Sequence, residues 1–198
     1  MMKLSSIALL ASLIVAALSG CGSAPKEHFY TLRAIAERDP AAANAAYSVS
    51  VGPVTVPELV ERQQLVLTRN DNQVEILEQT RWAASLQSII GHVIASNLTQ
   101  LTGNPRTAVY SPDTTVDADY HVAVDVLRFE SVLGTAASLD ARWTIRTADE
   151  QVLKSGRTII SEPTRGQDLT ALLTAHDRLL ATLSRDIAHV LINRKPSR

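Results

Sequence analysis

The chain has 198 residues, of which 45% are hydrophobic and 20% are charged, and its formal net charge at pH 7 is −1. Acidic and basic residues are interspersed without a basic cluster, which argues against nucleic acid as a partner. The composition is that of a globular protein, and the length beyond the first twenty residues is enough for one domain whose core needs no disulfides.

The first stretch of the chain has the pattern of an export signal. Lys3 precedes an apolar run over residues 4–18, which ends in Leu18-Ser19-Gly20-Cys21. A positive residue, an apolar run and small residues before a break are typical of a secretory signal peptide. The ending resembles the lipobox of bacterial lipoproteins, in which the cysteine is acylated and becomes the first mature residue. We therefore expect residues 1–20 to be removed and Cys21 to carry the lipid.

Acylation would also account for the only cysteine in the chain. An exported protein with one cysteine cannot form an internal disulfide, whereas two or more acyl chains give stable membrane anchoring. Two alternatives stay open. One is an uncleaved membrane-spanning helix, although residues 4–18 fall short of the roughly 20 apolar residues that a span needs. The other is ordinary cleavage nearby, which would leave a free thiol.

Residues 21–27 are expected to form a lipidated tether, because residues 22–26 are small or polar and should not pack. One folded domain is predicted over residues 28–195. It should open with a strand at residues 28–33 and continue through a loop at residues 34–46. A strand over residues 47–57 follows, and it should bend at Pro53 or lie on a sheet edge, since proline donates no ladder hydrogen bond.

The middle of the chain predicts a hairpin followed by a helix. Strands at residues 64–69 and 73–78 flank Asn70-Asp71-Asn72, whose residues tolerate the backbone of tight turns. Apolar residues then recur at helical spacing from Leu86 to Leu101. Thr80 is the possible N-cap of this helix, and Gly103 is its expected end.

The remaining chain alternates between strands and one last helix. Strands are predicted near residues 107–110, 119–132, 139–146 and 151–161. In the second of these, Val122 and Val124 should point to one face and Phe129 to the other. A long helix should begin after Asp168. The class expected from this order is α+β: a two-layer domain with a mainly antiparallel sheet and two long helices packed on one face.

No catalytic, cofactor-binding or metal-binding motif is found. The chain lacks a GxSxG elbow and a phosphate-binding loop, and its five histidines form neither HxH nor HExxH. His176 lies among leucines and is interpreted as a packed residue. Asp117, Asp119 and Asp125 are interpreted as turn and strand-face residues, because no calcium loop surrounds them.

Two groups of residues have both a structural and a functional interpretation. Arg81 and Trp82 could fix the entry to the first long helix, or they could anchor a partner, since Trp and Arg are enriched in binding hot spots. Arg142 and Arg146, which alternate with apolar residues, form with Asp140 a charged strand face. That face could be merely solvated, or it could be an interface patch.

Several segments together resemble one family, and they cover the mature chain in order. They are Phe29-Tyr30-Thr31-Leu32, Val51-Gly52-Pro53-Val54-Thr55-Val56-Pro57 leading into Glu61-Arg62-Gln63-Gln64-Leu65-Val66, Arg81-Trp82-Ala83, and the strand from Asp119-Tyr120 to Phe129. With the lipobox in front, this set resembles PqiC-type lipoproteins, the ABC-type transport auxiliary lipoproteins. Leu59 and Gln63 depart from the family, which often has an aromatic residue and a proline at these places.

The resemblance implies a non-catalytic accessory subunit of an MCE/ABC-type intermembrane lipid transport system. Its implied partners are an MCE-domain protein and an inner-membrane permease complex, with further copies of itself in a homo-oligomer as an open alternative. Gly22 and Ser23 are not the aspartate that retains lipoproteins at the inner membrane, so the implied location is the outer membrane, facing the periplasm. Two other functions stay open: a domain that itself binds a lipid or another apolar ligand between helix and sheet, and an envelope hydrolase.

Overall fold

The computed structural model describes residues 25–37, 46–70, 72–111 and 117–193. The predicted signal at 1–20, Cys21, the tether as far as residue 24, Asp71 of the hairpin turn and the end of the domain at 194–195 lie outside the described residues. The described chain contains the strands β1 (His28–Tyr30), β2 (Val49–Thr55), β3 (Gln64–Asn70), β4 (Gln73–Trp82), β5 (Thr107–Val109), β6 (Tyr120–Val132), β7 (Ala136–Thr147) and β8 (Val152–Pro163), and the helices α1 (Leu86–Thr102) and α2 (Leu169–Ile192). The predicted α+β class with two long helices is confirmed.

The strands form two mixed sheets. A five-stranded sheet has the order β5-β2-β6-β7-β8, and a three-stranded sheet has the order β1-β4-β3. The hairpin pairs β3–β4, β6–β7 and β7–β8 are antiparallel, as the turn signals predicted. In contrast, β2 runs parallel to both β5 and β6, and β1 runs parallel to β4. These parallel pairs join segments far apart in the chain, so no local turn signal predicts them.

Two irregularities decide which side chains face the core. The register between β2 and β6 shifts between Val51 and Val54, which places the predicted bend at Pro53. The register between β6 and β7 shifts between Val126 and Arg128. The second shift reverses the alternation of faces, so Phe129 is buried on the same side as Val126, and its predicted placement on the opposite face is wrong.

The first long helix starts later than expected. Strand β4 continues to Trp82, because β1 pairs with its last three residues, Thr80 to Trp82. Thr80 is therefore a strand residue, and its interpretation as the N-cap is wrong; Ser85 caps α1 and accepts a hydrogen bond from the backbone N–H of Ser88 at 3.3 Å. Gly103 ends α1 in the left-handed conformation, at φ 61°, as predicted.

Both helices cover one face of the five-stranded sheet. Helix α1 contacts β2 and β5, α2 contacts β7 and β8, and the two helices contact each other. Asp168 caps α2 as predicted and accepts from the N–H of Ala171 at 2.8 Å. The largest fully buried side chains are Leu65, Leu67, Ile90, Ile94, Leu98, Leu139, Ile145, Leu172, Leu179, Leu180, Leu183 and Ile187. Neither helix in the described residues is long and apolar enough to cross a membrane.

Candidate functional site

The start of the domain is held against the end of the β3–β4 hairpin. Strand β1 pairs with β4 so that Phe29 lies beside Arg81. A guanidinium nitrogen of Arg81 lies 2.7 Å from a carboxylate oxygen of Glu27, and another donates to the side-chain oxygen of Gln63 at 2.9 Å. Arg81 therefore connects the last tether residue to the hairpin, a role that is visible only once β1 and β4 are paired.

A groove of about 400 Å³ opens at this point, and we call it the tether-exit groove. It is lined by Phe29, Glu61, Arg62, Gln63, Trp82, Ala83, Ala84, Ser85, Leu86 and Gln87. Trp82 is 5% exposed and belongs to the core, as the structural interpretation expects, whereas Phe29 is 62% exposed. Sequence reasoning took Phe29 for an ordinary strand residue, although its place directly after the tether was a usable signal.

After β1 the chain crosses the helix pair as a strap, residues 31–37, fixed by two buried polar side chains. The N–H of Arg33 donates to Asp177 at 2.8 Å, and the N–H of Ala36 donates to the side-chain oxygen of Asn97 at 3.0 Å. The Asn97 side chain also donates to Ser184 at 3.3 Å. Burial raises the pKa of the Asp177 carboxyl, and the hydrogen bond from Arg33 opposes that rise. Neither Asn97 nor Asp177 was singled out in the sequence.

The outer face of the five-stranded sheet, away from the helices, carries the charged residues expected there. Arg142 is 62% exposed and lies 3.6 Å from Asp125. Arg146 donates to the backbone oxygen of Glu150 at 2.9 Å. Asp140 accepts two hydrogen bonds from Arg157 of β8, at 2.8 and 2.7 Å, and these bonds lower its pKa. Opposite charges thus alternate across neighbouring strands.

A serine and a histidine meet inside the domain. The Ser131 hydroxyl lies 2.8 Å from Nε2 of His176, whose ring stacks on Phe129 with the centroids 4.2 Å apart. Ser131 is 4% exposed and His176 is fully buried, and burial lowers the pKa of His176 to about 3. Its Nδ1 has no hydrogen-bond partner in the described part of the chain, so a carboxylate does not orient the ring there as hydrolytic triads require. His176 is a packed residue, as interpreted.

The acidic residues near β6 have structural partners. Asp119 accepts from the backbone N–H and the hydroxyl of Ser48, at 2.7 and 2.8 Å, and the backbone bond is the main cause of its lowered pKa. Asp125 accepts from the hydroxyl of Thr55 at 2.7 Å. Among residues 25–37, 46–70, 72–111 and 117–193, no group of three His, Cys, Asp or Glu could hold a metal ion.

Several surface grooves are lined by the described residues. Besides the tether-exit groove, one of about 300 Å³ runs between the strap and α1, and another of about 440 Å³ lies by Pro53 and Arg142 on the outer sheet face. The space between helices and sheet is filled by the leucines and isoleucines of the core. This packing counts against a lipid held between the two layers.

Comparison with known proteins identifies the family of the domain. A family model described as "ABC-type transport auxiliary lipoprotein component" matches residues 30–188, about four-fifths of the chain. No curated protein matches the chain.

Two solved structures share the fold. Protein XCC0632 from Xanthomonas campestris, of the family DUF330, is 16% identical, with a TM-score of 0.68 over 83% of this chain and 94% of its own. An uncharacterized protein is 18% identical, with a TM-score of 0.67 over 84% of this chain and 99% of its own. At these identities the likeness shows the fold alone.

Proposed function

The chain belongs to the ABC-type transport auxiliary lipoproteins, and on this premise we propose that it is a non-catalytic accessory subunit of an MCE/ABC-type intermembrane lipid transport system. The observation that carries the proposal is the position of the family domain behind the lipobox: the matched region begins at residue 30, nine residues after Cys21. Such a short connection suits a domain that works close to the membrane holding its anchor.

In this proposal acyl chains on Cys21 hold the protein in the outer membrane, with the domain in the periplasm. The residues after Cys21, Gly22 and Ser23, favour that location, because neither is the aspartate that retains lipoproteins at the inner membrane. The anchor keeps the domain at high local concentration near the partner, so that weak contacts are enough for docking.

The docking surface we propose for the MCE-domain partner is the outer face of the five-stranded sheet, centred on Arg142 and Arg146. Arg142 is 62% exposed, and Arg146 is half-buried with its guanidinium bonded to the backbone of Glu150. Alternating charges of this kind orient a partner more than they add affinity. Arg81 and Trp82 are not part of this docking surface: Trp82 is almost fully buried, and Arg81 is bonded to Glu27 and Gln63. The permease complex would be reached through the MCE protein.

A non-catalytic role is supported by the surroundings of the buried serine–histidine pair. In a second such contact, on α1, Nδ1 of His92 lies 3.4 Å from the Ser88 hydroxyl and 2.8 Å from the Ser88 backbone oxygen. Ser131 and His176 are both withdrawn from solvent, and the low pKa of His176 makes it a poor base near neutral pH. Docking requires no reacting side chain, so the proposed role is compatible with this chemistry.

Replacing the anchor residue tests the membrane attachment. Cys21→Ser should abolish incorporation of labelled palmitate and release the protein into the soluble envelope fraction, because no thiol remains to be acylated. Ser23→Ala is the matched control and should keep both label and membrane association. Incorporation of label into the Cys21→Ser protein would show that the anchor is misassigned.

Capture of the partner tests the transport role. Affinity purification from chemically crosslinked envelopes should recover an MCE-domain protein with the wild-type chain, and markedly less of it with Cys21→Ser, because the local concentration is lost. The mass of the crosslinked product reports how many copies of this chain take part. Recovery of no MCE-domain protein in repeated captures would contradict the proposed role.

A further inference from the structure

We propose that the tether-exit groove and its rim lie on the phospholipid surface, with the Phe29 ring entering the headgroup region and Lys26 and Arg62 facing lipid phosphates. This surface rests on the proposed anchor at Cys21 but goes beyond it, because an anchor alone leaves the domain free to present any face. The proposed occupant is a bilayer surface.

Tether length is the first argument. The described chain starts at Pro25, four residues after Cys21, and an extended chain spans at most about 3.5 Å per residue. Pro25 is therefore within about 14 Å of the acylated residue. Glu27 is already fixed to the domain by Arg81 at 2.7 Å. The part of the domain around β1 thus remains close to the lipid headgroups whatever the rest of the molecule does.

Exposed apolar side chains at this place are the second argument. Phe29 is 62% exposed, more than any other large hydrophobic residue in the described chain. Leu59, 45% exposed, lies close by, since its backbone oxygen accepts from the Nε of Arg62, which lines the same groove. Aromatic rings are favoured at the headgroup level of a bilayer, where an apolar body and a wet environment meet.

Charge at the rim is the third argument. Lys26 precedes β1 on exposed chain, and Arg62 lines the groove with no carboxylate bonded to it in the described residues. Among the carboxylates of this region, Glu27 pairs with Arg81, and Glu61 accepts from the side chain of Gln87 at 2.6 Å. Neither Lys26 nor Arg62 is in an ion pair in the described residues, so both can contact the phosphates of anionic lipids, which attract basic residues near a membrane surface.

Single tryptophans placed on two equally exposed residues test the surface. Phe29→Trp and Ile159→Trp are compared, because Ile159 is 60% exposed but lies on β8. The mature chain from residue 21 to 198 is coupled through Cys21, its only thiol, to maleimide-bearing vesicles of phosphatidylethanolamine and phosphatidylglycerol with brominated acyl chains. The added emission of Phe29→Trp is expected to fall by about half or more, while that of Ile159→Trp stays nearly unchanged, since only the former should reach the interface.

Charge removal gives the second measurement. Lys26→Gln combined with Arg62→Gln, in the Phe29→Trp background, should clearly reduce the quenching, and replacing phosphatidylglycerol by phosphatidylcholine should reduce it similarly. Equal quenching at both positions, or none at position 29, would overturn the proposal. Photo-crosslinks from position 29 to protein instead of lipid in intact envelopes would overturn it too, in favour of a protein partner. Because the coupling is chemical, these results do not depend on whether the cell acylates Cys21.

Discussion

Trp143 lies against the backbone of its cross-strand neighbour Gly156, and no larger residue fits there. A Cβ atom at position 156 would lie 2.2 Å from the indole ring. Trp143 is 6% exposed. The indole nitrogen donates to the hydroxyl of Thr158 at 3.3 Å, and that hydroxyl donates to the carboxylate of Asp186 at 2.6 Å. The need for glycine opposite Trp143 depends on the β7–β8 register, which residue type alone does not give.

Gly156→Ala should therefore destabilise the domain by about 1–3 kcal/mol, since overpacking moves side chains out of their preferred rotamers. Gly91→Ala in α1 is the matched control: its Cβ would meet Val109 and Val54 at 3.6 Å, an ordinary contact distance. Alanine favours a helix over glycine by about 0.5–1 kcal/mol, so this variant should be as stable as wild type or more stable. Urea unfolding followed by tryptophan fluorescence measures both changes.

His176 predicts how stability depends on pH. Its pKa is lowered from 6.5 to about 3 in the folded state, so the unfolded chain binds the extra proton between these values. Titration of His176 therefore leaves the free energy of unfolding unchanged above about pH 6.5. Below that pH it lowers the free energy of unfolding by up to about 1.4 kcal/mol per pH unit. The carboxyl of Asp177 acts in the opposite direction at the acidic end of this range. Because its pKa is raised in the folded state, the folded protein binds the proton more tightly, and acidification adds to the free energy of unfolding.

The check is a comparison of unfolding free energies at pH 7 and pH 5 for wild type and His176→Gln. The glutamine cannot take up a proton in this range, so the variant should lose less stability on acidification. Ser131 gains an amide neighbour in that variant and remains able to form a hydrogen bond. Parallel pH curves for the two proteins would show that His176 is not the group responsible.

Among the elements, the strap depends on side chains from both helices. Asn97→Ala leaves the N–H of Ala36 and the hydroxyl of Ser184 without the amide group that bonds them. Removing one partner of a buried hydrogen bond costs about 1–3 kcal/mol. We expect faster hydrogen exchange at the Ala36 amide, with the five-stranded sheet unaffected. Gln100→Ala, an exposed change on the same helix, should leave that exchange rate unchanged.

Elements defined by local sequence were predictable, and elements defined by distant partners were not. The β3–β4 hairpin, the end of α1 at Gly103 and the cap of α2 at Asp168 all follow from neighbouring residues. The extension of β4 to Trp82 follows from pairing with β1, about fifty residues earlier in the chain. Because neighbouring residues do not reveal this pairing, Thr80 resembled a helix cap, and a role at the helix entry was one of the two interpretations of Arg81 and Trp82.

At the scale of the whole molecule, reversing charges on the outer sheet face and on the helix layer tests which of the two docks the partner. Arg142→Glu with Arg146→Glu should change stability by no more than about 0.5 kcal/mol, since exposed ion pairs contribute little. The same variant should recover less MCE-domain protein from crosslinked envelopes. Arg185→Glu, exposed on α2 in the other layer, is the control and should recover as much as wild type. Equal recovery from all three would place docking elsewhere.

The charged residues of this face were predictable as a group because alternation in β7 reveals one side of a strand. Their pairing was not, since Arg157 belongs to β8 and Asp125 to β6. The tether-exit groove was also beyond sequence reasoning: its walls come from β1, the segment before β3, the end of β4 and the start of α1.

The order in which the chain leaves the membrane has a mechanical consequence. Any pull on the anchor loads the Glu27–Arg81 ion pair and the three residues of β1 first. It loads the two strap hydrogen bonds next, and only then the long strands of the larger sheet. If the proposed anchor at Cys21 holds the protein, tension reaches the sheet face proposed for docking only after the ion pair, β1 and the strap have separated.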